Sequence, residues 1–198
     1  MAIVHTPAKI HWAFFTALEQ DIEVAARYVE PQPKNYGTFS IEMCRVLFAA
    51  SSECEVVLKG TTALFGVNSE RFNIEQLREE ITKHVPDLVQ EEVSIPRYGL
   101  TLDPWSNWKA PTPGPPDWWT SYNRVKHQRG DFYEQGNLQN ALNATAALMV
   151  ATVYFYHAEL SAAAGTAADF RDVTEKLVPE SRVFRLNDKR YRALLALM

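Results

Sequence analysis

Apolar residues recur at three- and four-residue intervals along most of this chain, and this period limits the fold more strongly than any other feature. The two longest stretches with the period run over residues 40–65 and 138–164. Such spacing places side chains on one face of an α-helix, so we predict two long helices there. Ser40 and Asn137 are residue types that cap helix N-termini, and Gly165 suits the end of the second helix. The first of these helices carries apolar residues on more than one side, which indicates burial in the core.

Shorter stretches with the same period predict the remaining helices of an all-α fold. We expect these helices to begin at Thr6-Pro7, Asn73 and Asp117, and a short final helix to cover 168–177. A chain of 198 residues is long enough for one domain with a complete core. We therefore predict a single domain over residues 1–198, built as a bundle of five to six helices.

A segment rich in proline and tryptophan, residues 87–116, interrupts the helical pattern. Loops of this length inside a domain are usually functional or wrap a surface. Because the segment holds Trp105 and Trp108, we predict that it lies on the domain and is not a linker. Whether it acts as a lid or as a strap stays open. Short strands are predicted at 93–95 and 182–186.

The formal net charge of −4 argues against a protein that coats duplex DNA by bulk charge. The charge is uneven, because residues 182–192 hold five Arg and Lys against one Asp. A local basic patch can bind an anion even in an acidic chain. We interpret this patch as a solvated face, which is the more frequent outcome for a run of charges.

Two cysteines, Cys44 and Cys54, lie ten residues apart in the first long helix. A helix rises about 1.5 Å per residue, which separates them by roughly 15 Å, whereas a disulfide needs Cα atoms within about 7 Å. We therefore expect two buried free thiols, as is typical of a cytoplasmic protein. The cysteines and histidines do not follow zinc-ligand spacing, so we expect no metal and no cofactor.

Two features of the sequence bear on export and on membranes. The first residues lack the charged start and the apolar core of a signal peptide. The most apolar run, 141–156, is shorter than the roughly 20 residues that a membrane span needs, and polar residues interrupt it. We expect a cytoplasmic protein without a membrane segment.

The strongest candidate for chemistry is a polar stretch that follows two tryptophans. Asn123 and His127 lie four residues apart, which places them on one face of a helix. Arg124, Lys126 and Arg129 flank them. An imidazole moves protons near neutral pH, and neighbouring cations stabilise the charge that develops on a phosphate ester. The simpler interpretation is a histidine in a polar, solvated part of a helix.

Glu55 occupies a position of the first long helix where the period predicts an apolar residue. A buried carboxylate needs a partner, and His127, Arg124 or Lys126 could supply one across the bundle. The alternative is an exposed helix face on which Glu55 pairs with Lys59, four residues later.

Trp118 and Trp119 lie directly before the polar stretch, and two further tryptophans precede them in the 87–116 segment. Aromatic rings beside cations can stack on the bases of single-stranded nucleic acid, so these two residues are candidates for substrate binding. The alternative is that the tryptophans attach the segment to the core.

Together these elements resemble the HEPN-domain family. The resemblance rests on the helix Ser40–Phe65 with its inward Glu55, on the motif Tyr-Asn-x-x-Lys-His-x-Arg at 122–129, and on the long apolar helix after the motif. HEPN-domain proteins are all-helical bundles, usually dimeric, that are common in prokaryotic toxin–antitoxin and phage-defence systems. Many of them are metal-independent ribonucleases, so the resemblance implies an RNA substrate and a homodimer.

The family signature is an arginine, usually followed by a polar residue, with a histidine one to two helical turns later. By position, Asn123 matches the polar residue and His127 matches the histidine, while Tyr122 stands where the arginine would fall. In the family, two copies of the chain form one site. The resemblance implies that His127 activates the ribose 2′-hydroxyl or protonates the leaving oxygen. It also implies that Asn123 orients the reacting group and that the flanking cations hold the phosphate.

Two other functions are compatible with the same residues. One is a non-catalytic HEPN-like module that binds a nucleotide, an RNA or a protein partner, in which His127, Asn123 and Glu55 form a structural polar network. The other is a helical protein with a small-molecule pocket beneath the tryptophan-rich segment.

Overall fold

The computed structural model describes residues 8–191 and confirms the predicted all-α class. Within these residues lie seven helices, named α1 to α7 in chain order: Ile10–Ala25, Ile41–Leu64, Ile74–His84, Asp117–His127, Arg129–Phe132, Leu138–Ala164 and Phe170–Lys176. A hairpin of two short strands, β1 (Val93–Ile95) and β2 (Leu100–Leu102), is the sheet of this part of the chain. The predicted five to six helices did not include α5, which has only 4 residues.

The two long helices α2 and α6 pack along each other and form the centre of the fold. α6 is rich in small residues, and its middle, from Ala144 to Tyr154, is buried. Small residues let helix backbones approach closely: a Cβ added at Gly60 would lie 3.1 Å from the ring of Phe155. α1 and α4 each pack against both long helices, and α3 packs against α2.

Local sequence signals place the ends of these helices. The side chain of Ser40 accepts a hydrogen bond from the Met43 N–H at 3.1 Å, which confirms the predicted cap of α2. Gly165 ends α6 with φ +67°, a left-handed conformation that favours glycine. The prediction that Asp117 caps α4 is wrong. Pro116 is the cap residue, and Asp117 is the first residue of the helix.

The segment 87–116 is a strap that is held down by its aromatic residues. Trp105 and Trp108 are 0% and 3% exposed, and the indole N–H of Trp118 donates to the Pro104 carbonyl at 2.8 Å. The strand predicted at 93–95 is β1. The strand predicted at 182–186 is wrong, because this stretch makes only an isolated two-residue bridge to β1.

α1 is tied to residues 179–184, near the other end of the described chain. The indole N–H of Trp12 donates to the Pro179 carbonyl at 2.9 Å. Glu19, which is only 4% exposed, accepts from the backbone N–H groups of Arg182 and Val183 at 3.0 and 2.8 Å. A buried carboxylate is stabilised by such donors. The start predicted for this helix at Thr6-Pro7 lies outside the described residues.

Three further observations concern residues 8–191. Cys44 and Cys54 are both buried free thiols, as predicted. This part of the chain has no group of three or more His, Cys, Asp or Glu side chains placed to hold a metal ion. It also has no helix that combines the length and the apolar character needed to cross a membrane.

Candidate functional site

Four residues of the polar stretch lie together at the C-terminal end of α4. One side of α4 is buried against α2 and α6 by four side chains: Trp118, Trp119, Tyr122 and Val125. Arg124, Lys126 and His127 are exposed in the last turn, and Arg129 is exposed at the start of α5. We refer to these four exposed residues as the basic end. Cations in a last turn also interact favourably with the helix dipole, which is a structural reason for their presence.

The cations of the basic end lie beside aromatic rings. Each charged group is 5.2 to 5.5 Å from a ring centroid: Arg124 over Phe132, Lys126 over Tyr122 and Arg129 over Phe48. Among residues 8–191, no carboxylate lies within ion-pair distance of these three cations. By contrast, Arg45 on α2 is paired with Asp21 and Glu42, at 3.1 and 2.9 Å. The positive charge of the basic end is therefore not neutralised by neighbouring side chains.

His127 is exposed, and neither of its ring nitrogens has a hydrogen-bond partner within the described part of the chain. Asn123, one turn earlier, is half-buried, and its amide donates to the Trp119 carbonyl at 3.1 Å. That bond lies within α4 and leaves the amide oxygen of Asn123 without a partner in residues 8–191. The imidazole is therefore accessible to water or to a ligand.

Glu55 does not join this group. Its carboxylate pairs with Lys59 at 2.7 Å, and the two side chains are 33% and 26% exposed. Of the two alternatives left open for Glu55, the pair with Lys59 along the helix is therefore correct, and the partnership with His127, Arg124 or Lys126 is not formed. The polar network that would make His127 structural is not formed.

The tryptophans beside the basic end are part of the core. Trp118 and Trp119 are 2% and 8% exposed, so their ring faces are covered by protein. The ring centroids of Trp105 and Trp108 are 4.4 Å apart, and Trp105 and Trp118 meet edge to face at 5.5 Å. These contacts fill the space beneath the strap where a small-molecule pocket was predicted. In this structure, neither Trp118 nor Trp119 offers a surface on which a base could stack.

Tyr122 extends the same row of rings towards α2. Its side chain is buried, and its ring lies 5.3 Å from Trp119 and 5.2 Å from Phe48. The position that would hold the signature arginine of the resembled family is therefore a packing position. Phe48 is the next ring in this row, and the guanidinium of Arg129 lies over it.

A cleft of about 290 Å³ adjoins the basic end. It lies between the first turns of α2 and the α5–α6 connection, and six residues line it: Ile41, Cys44, Arg45, Phe48, Arg129 and Tyr133. Burial raises the pKa of the Cys44 thiol, and the nearby Arg129 lowers it by a smaller amount. The sequence pattern did not indicate this cleft, because its walls come from segments about 85 residues apart in the chain.

The predicted basic patch at 182–192 is not a uniform solvated face. Arg190 turns inward and forms an ion pair with Glu91, a carboxylate that is only 6% exposed on its side chain. The Tyr154 hydroxyl donates to the same Glu91 oxygen at 2.8 Å. Arg185 is paired with Asp188 at 2.9 Å. Two of the five cations are thus engaged with carboxylates, and Arg192 lies outside the described residues.

Comparisons of this chain with protein-family models, with curated proteins and with solved structures found no match.

Proposed function

We propose that this protein is an HEPN-like, RNA-directed protein of a toxin or phage-defence system that cleaves RNA as a homodimer without a metal. The observation that supports the proposal is the basic end of α4. There an exposed imidazole, free of protein hydrogen bonds within residues 8–191, lies among three cations that no neighbouring carboxylate neutralises. Uncompensated cations attract the phosphate backbone of a nucleic acid.

The chemistry of RNA cleavage gives each of these residues a role. A base removes the proton of the ribose 2′-hydroxyl, whose oxygen then bonds to the adjacent phosphorus, and an acid protonates the 5′-oxygen as its bond to that phosphorus breaks. His127 performs one of these steps, and His127 of a second copy performs the other. Arg124, Lys126 and Arg129 stabilise the additional negative charge on the phosphate in the transition state.

Cleavage by purified protein in EDTA tests this proposal. The substrates are a single-stranded and a structured RNA, and the variants are His127→Ala and His84→Ala. His84 is a half-buried histidine on α3 that stacks on Phe65, outside the basic end. Because acid–base catalysis typically contributes about 10²- to 10⁴-fold, we expect His127→Ala to lower the rate by that factor. His84→Ala should retain the wild-type rate.

Two results would contradict the proposal. One is full activity of His127→Ala, because it would place the chemistry elsewhere. The other is loss of activity in EDTA that added Mg²⁺ restores, because it would indicate a metal-dependent mechanism.

A second candidate function is an RNA-binding module of the same type without catalysis. The observation that favours it is that Tyr122, a buried packing residue, stands at the position of the motif where the resembled family has its arginine. Under this function, wild-type protein binds single-stranded RNA but does not cleave it. Binding through three cations predicts that the logarithm of the affinity falls with the logarithm of salt concentration with a slope of about −2.

A further inference from the structure

We infer that the cleft beside the basic end is a base-binding subsite for a nucleotide of the RNA chain. This inference rests on the proposed function, because it assigns a place to one base of the RNA whose phosphates contact the basic end. The link between the two sites is Arg129, which belongs to the basic end and also lines the cleft.

The walls of the cleft match the chemistry of a nucleobase. Most of its lining is apolar, from Ile41, Cys44, Phe48 and Tyr133. Single-stranded nucleic acids bind to proteins through such apolar and aromatic surfaces, with cations that follow the backbone. Ile41 is 73% exposed at the edge of the cleft, so a large apolar side chain stays open to solvent there.

Charge at the edge of the cleft favours a phosphate-bearing ligand over a neutral one. Two guanidinium groups line it, those of Arg45 and Arg129. Arg45 is already paired with Asp21 and Glu42, whereas Arg129 has no carboxylate partner in the described part of the chain. Arg129 therefore carries the positive charge that is available to a phosphate next to the bound base.

Cys44, which lines the cleft, is in tight contact with Gly136 from the α5–α6 connection. A Cβ added at Gly136 would lie 2.8 Å from the Cβ of Cys44, which is closer than such atoms approach. The Ser40 N–H donates to the Gly136 carbonyl at 3.3 Å, and the Leu138 N–H donates to the Thr38 carbonyl at 2.9 Å. The two walls are therefore joined by backbone hydrogen bonds, and the cleft exists before a ligand binds.

Cys44 supplies a probe that is independent of catalysis. It lines the cleft and is 6% exposed, whereas Cys54 is completely buried. The rate at which a small neutral thiol reagent modifies Cys44 is measured on His127→Ala protein, so that the RNA stays intact. The ligands are a short single-stranded RNA and the same ribose-phosphate chain without bases, and a Cys44→Ser variant confirms the origin of the signal. RNA binding is followed in parallel by fluorescence anisotropy.

We expect the RNA to slow the modification of Cys44 and the chain without bases to leave it unchanged. Ile41→Glu, which places a negative charge at the open edge of the cleft, should weaken RNA binding by about tenfold, as expected for the loss of one stacked base. The matched control is Val56→Glu, a change on the same helix at an exposed apolar residue outside the cleft. It should bind RNA as the unsubstituted protein does.

The outcomes separate the subsite from the proposed function. RNA binding without protection of Cys44 would overturn the subsite and leave RNA binding intact, and so would equal protection by the chain without bases. Protection that appears without RNA as the protein concentration rises would assign the cleft to a second copy and overturn the subsite. Absence of any RNA binding by the wild type would overturn both proposals.

Discussion

Glu19 supports a specific prediction about stability, because a single carboxylate oxygen organises residues 181–184. That oxygen accepts from the backbone N–H groups of Arg182, Val183 and Phe184 at 3.0, 2.8 and 3.3 Å, and from the Ser181 hydroxyl. Glu19 is 4% exposed, so in the folded protein water does not compete with the carboxylate for these donors.

The cost of Glu19→Ala can be worked out donor by donor. The Phe184 N–H retains the Ser181 hydroxyl oxygen as an acceptor at 3.2 Å. Arg182 is exposed, so its backbone N–H can donate to water instead. The Val183 N–H is buried and loses its acceptor, which costs about 1–3 kcal/mol, and hydrogen bonds to a charged group contribute about 1.5–3 kcal/mol. We therefore expect the free energy of unfolding to fall by about 2–4 kcal/mol.

Urea unfolding followed by circular dichroism measures this change. Glu19→Gln keeps an oxygen acceptor without the charge, so its loss should be about half as large. The control is Glu23→Ala, a half-buried position one turn later on α1, which should change stability by no more than about 0.5 kcal/mol. If Glu19→Ala were no more destabilising than Glu23→Ala, the idea that this carboxylate anchors residues 181–184 would be refuted.

Three further predictions concern other positions. His127→Ala should leave the melting temperature unchanged, since the side chain is exposed and makes no protein hydrogen bond within residues 8–191. A clear drop in the melting temperature, measured by calorimetry, would contradict this and indicate a structural role for His127. Gly136→Ala should lower the free energy of unfolding by about 1–3 kcal/mol through its clash with Cys44, and an unchanged urea midpoint would contradict this. Burial lowers the pKa of His157, whose ring donates to the Ala168 carbonyl at 2.9 Å. The unfolded chain therefore protonates His157 at a higher pH than the folded chain does, so the free energy of unfolding should fall as the pH drops below the ordinary histidine pKa. His157→Gln should flatten that dependence between about pH 7 and 5, and an identical slope in both proteins would refute it.

Helix positions could be predicted from the sequence because their signals are local. Ser40 and Asn137 cap the helices that follow them, and each cap uses a donor only three residues later. Gly165 ends α6 for an equally local reason, since the left-handed conformation favours glycine. That the segment 87–116 lies on the domain could also be predicted, because tryptophans within a loop are rarely left in water. Whether it is a lid or a strap could not.

Contacts between distant segments could not be predicted in this way. Whether Glu55 pairs with Lys59 or across the bundle depends on how far α2 is turned in the bundle, which the period alone does not determine. Arg190 reaches Glu91, 99 residues earlier, and this turns part of an apparently solvated patch inward. The basic end could be predicted as a cluster, because its members are sequence neighbours. Its continuation into the cleft through Arg129 could not, because the cleft depends on how α2 meets the α5–α6 connection.

The attachment of α1 to residues 179–184 also has a consequence for the order of folding. Trp12 and Glu19 find their hydrogen-bond partners more than 160 residues later in the chain. The ribosome synthesises the chain from its N-terminus, so α1 emerges long before those partners are made. Until then, the donor of Trp12 and the carboxylate of Glu19 lack these partners. Contacts of such large sequence separation slow folding, because closing the loop precedes any gain from the contact. The hydrogen bonds of Trp12 and Glu19 therefore form only after residues 179–184 have been synthesised, although α1 is the first helix of the described chain to be made.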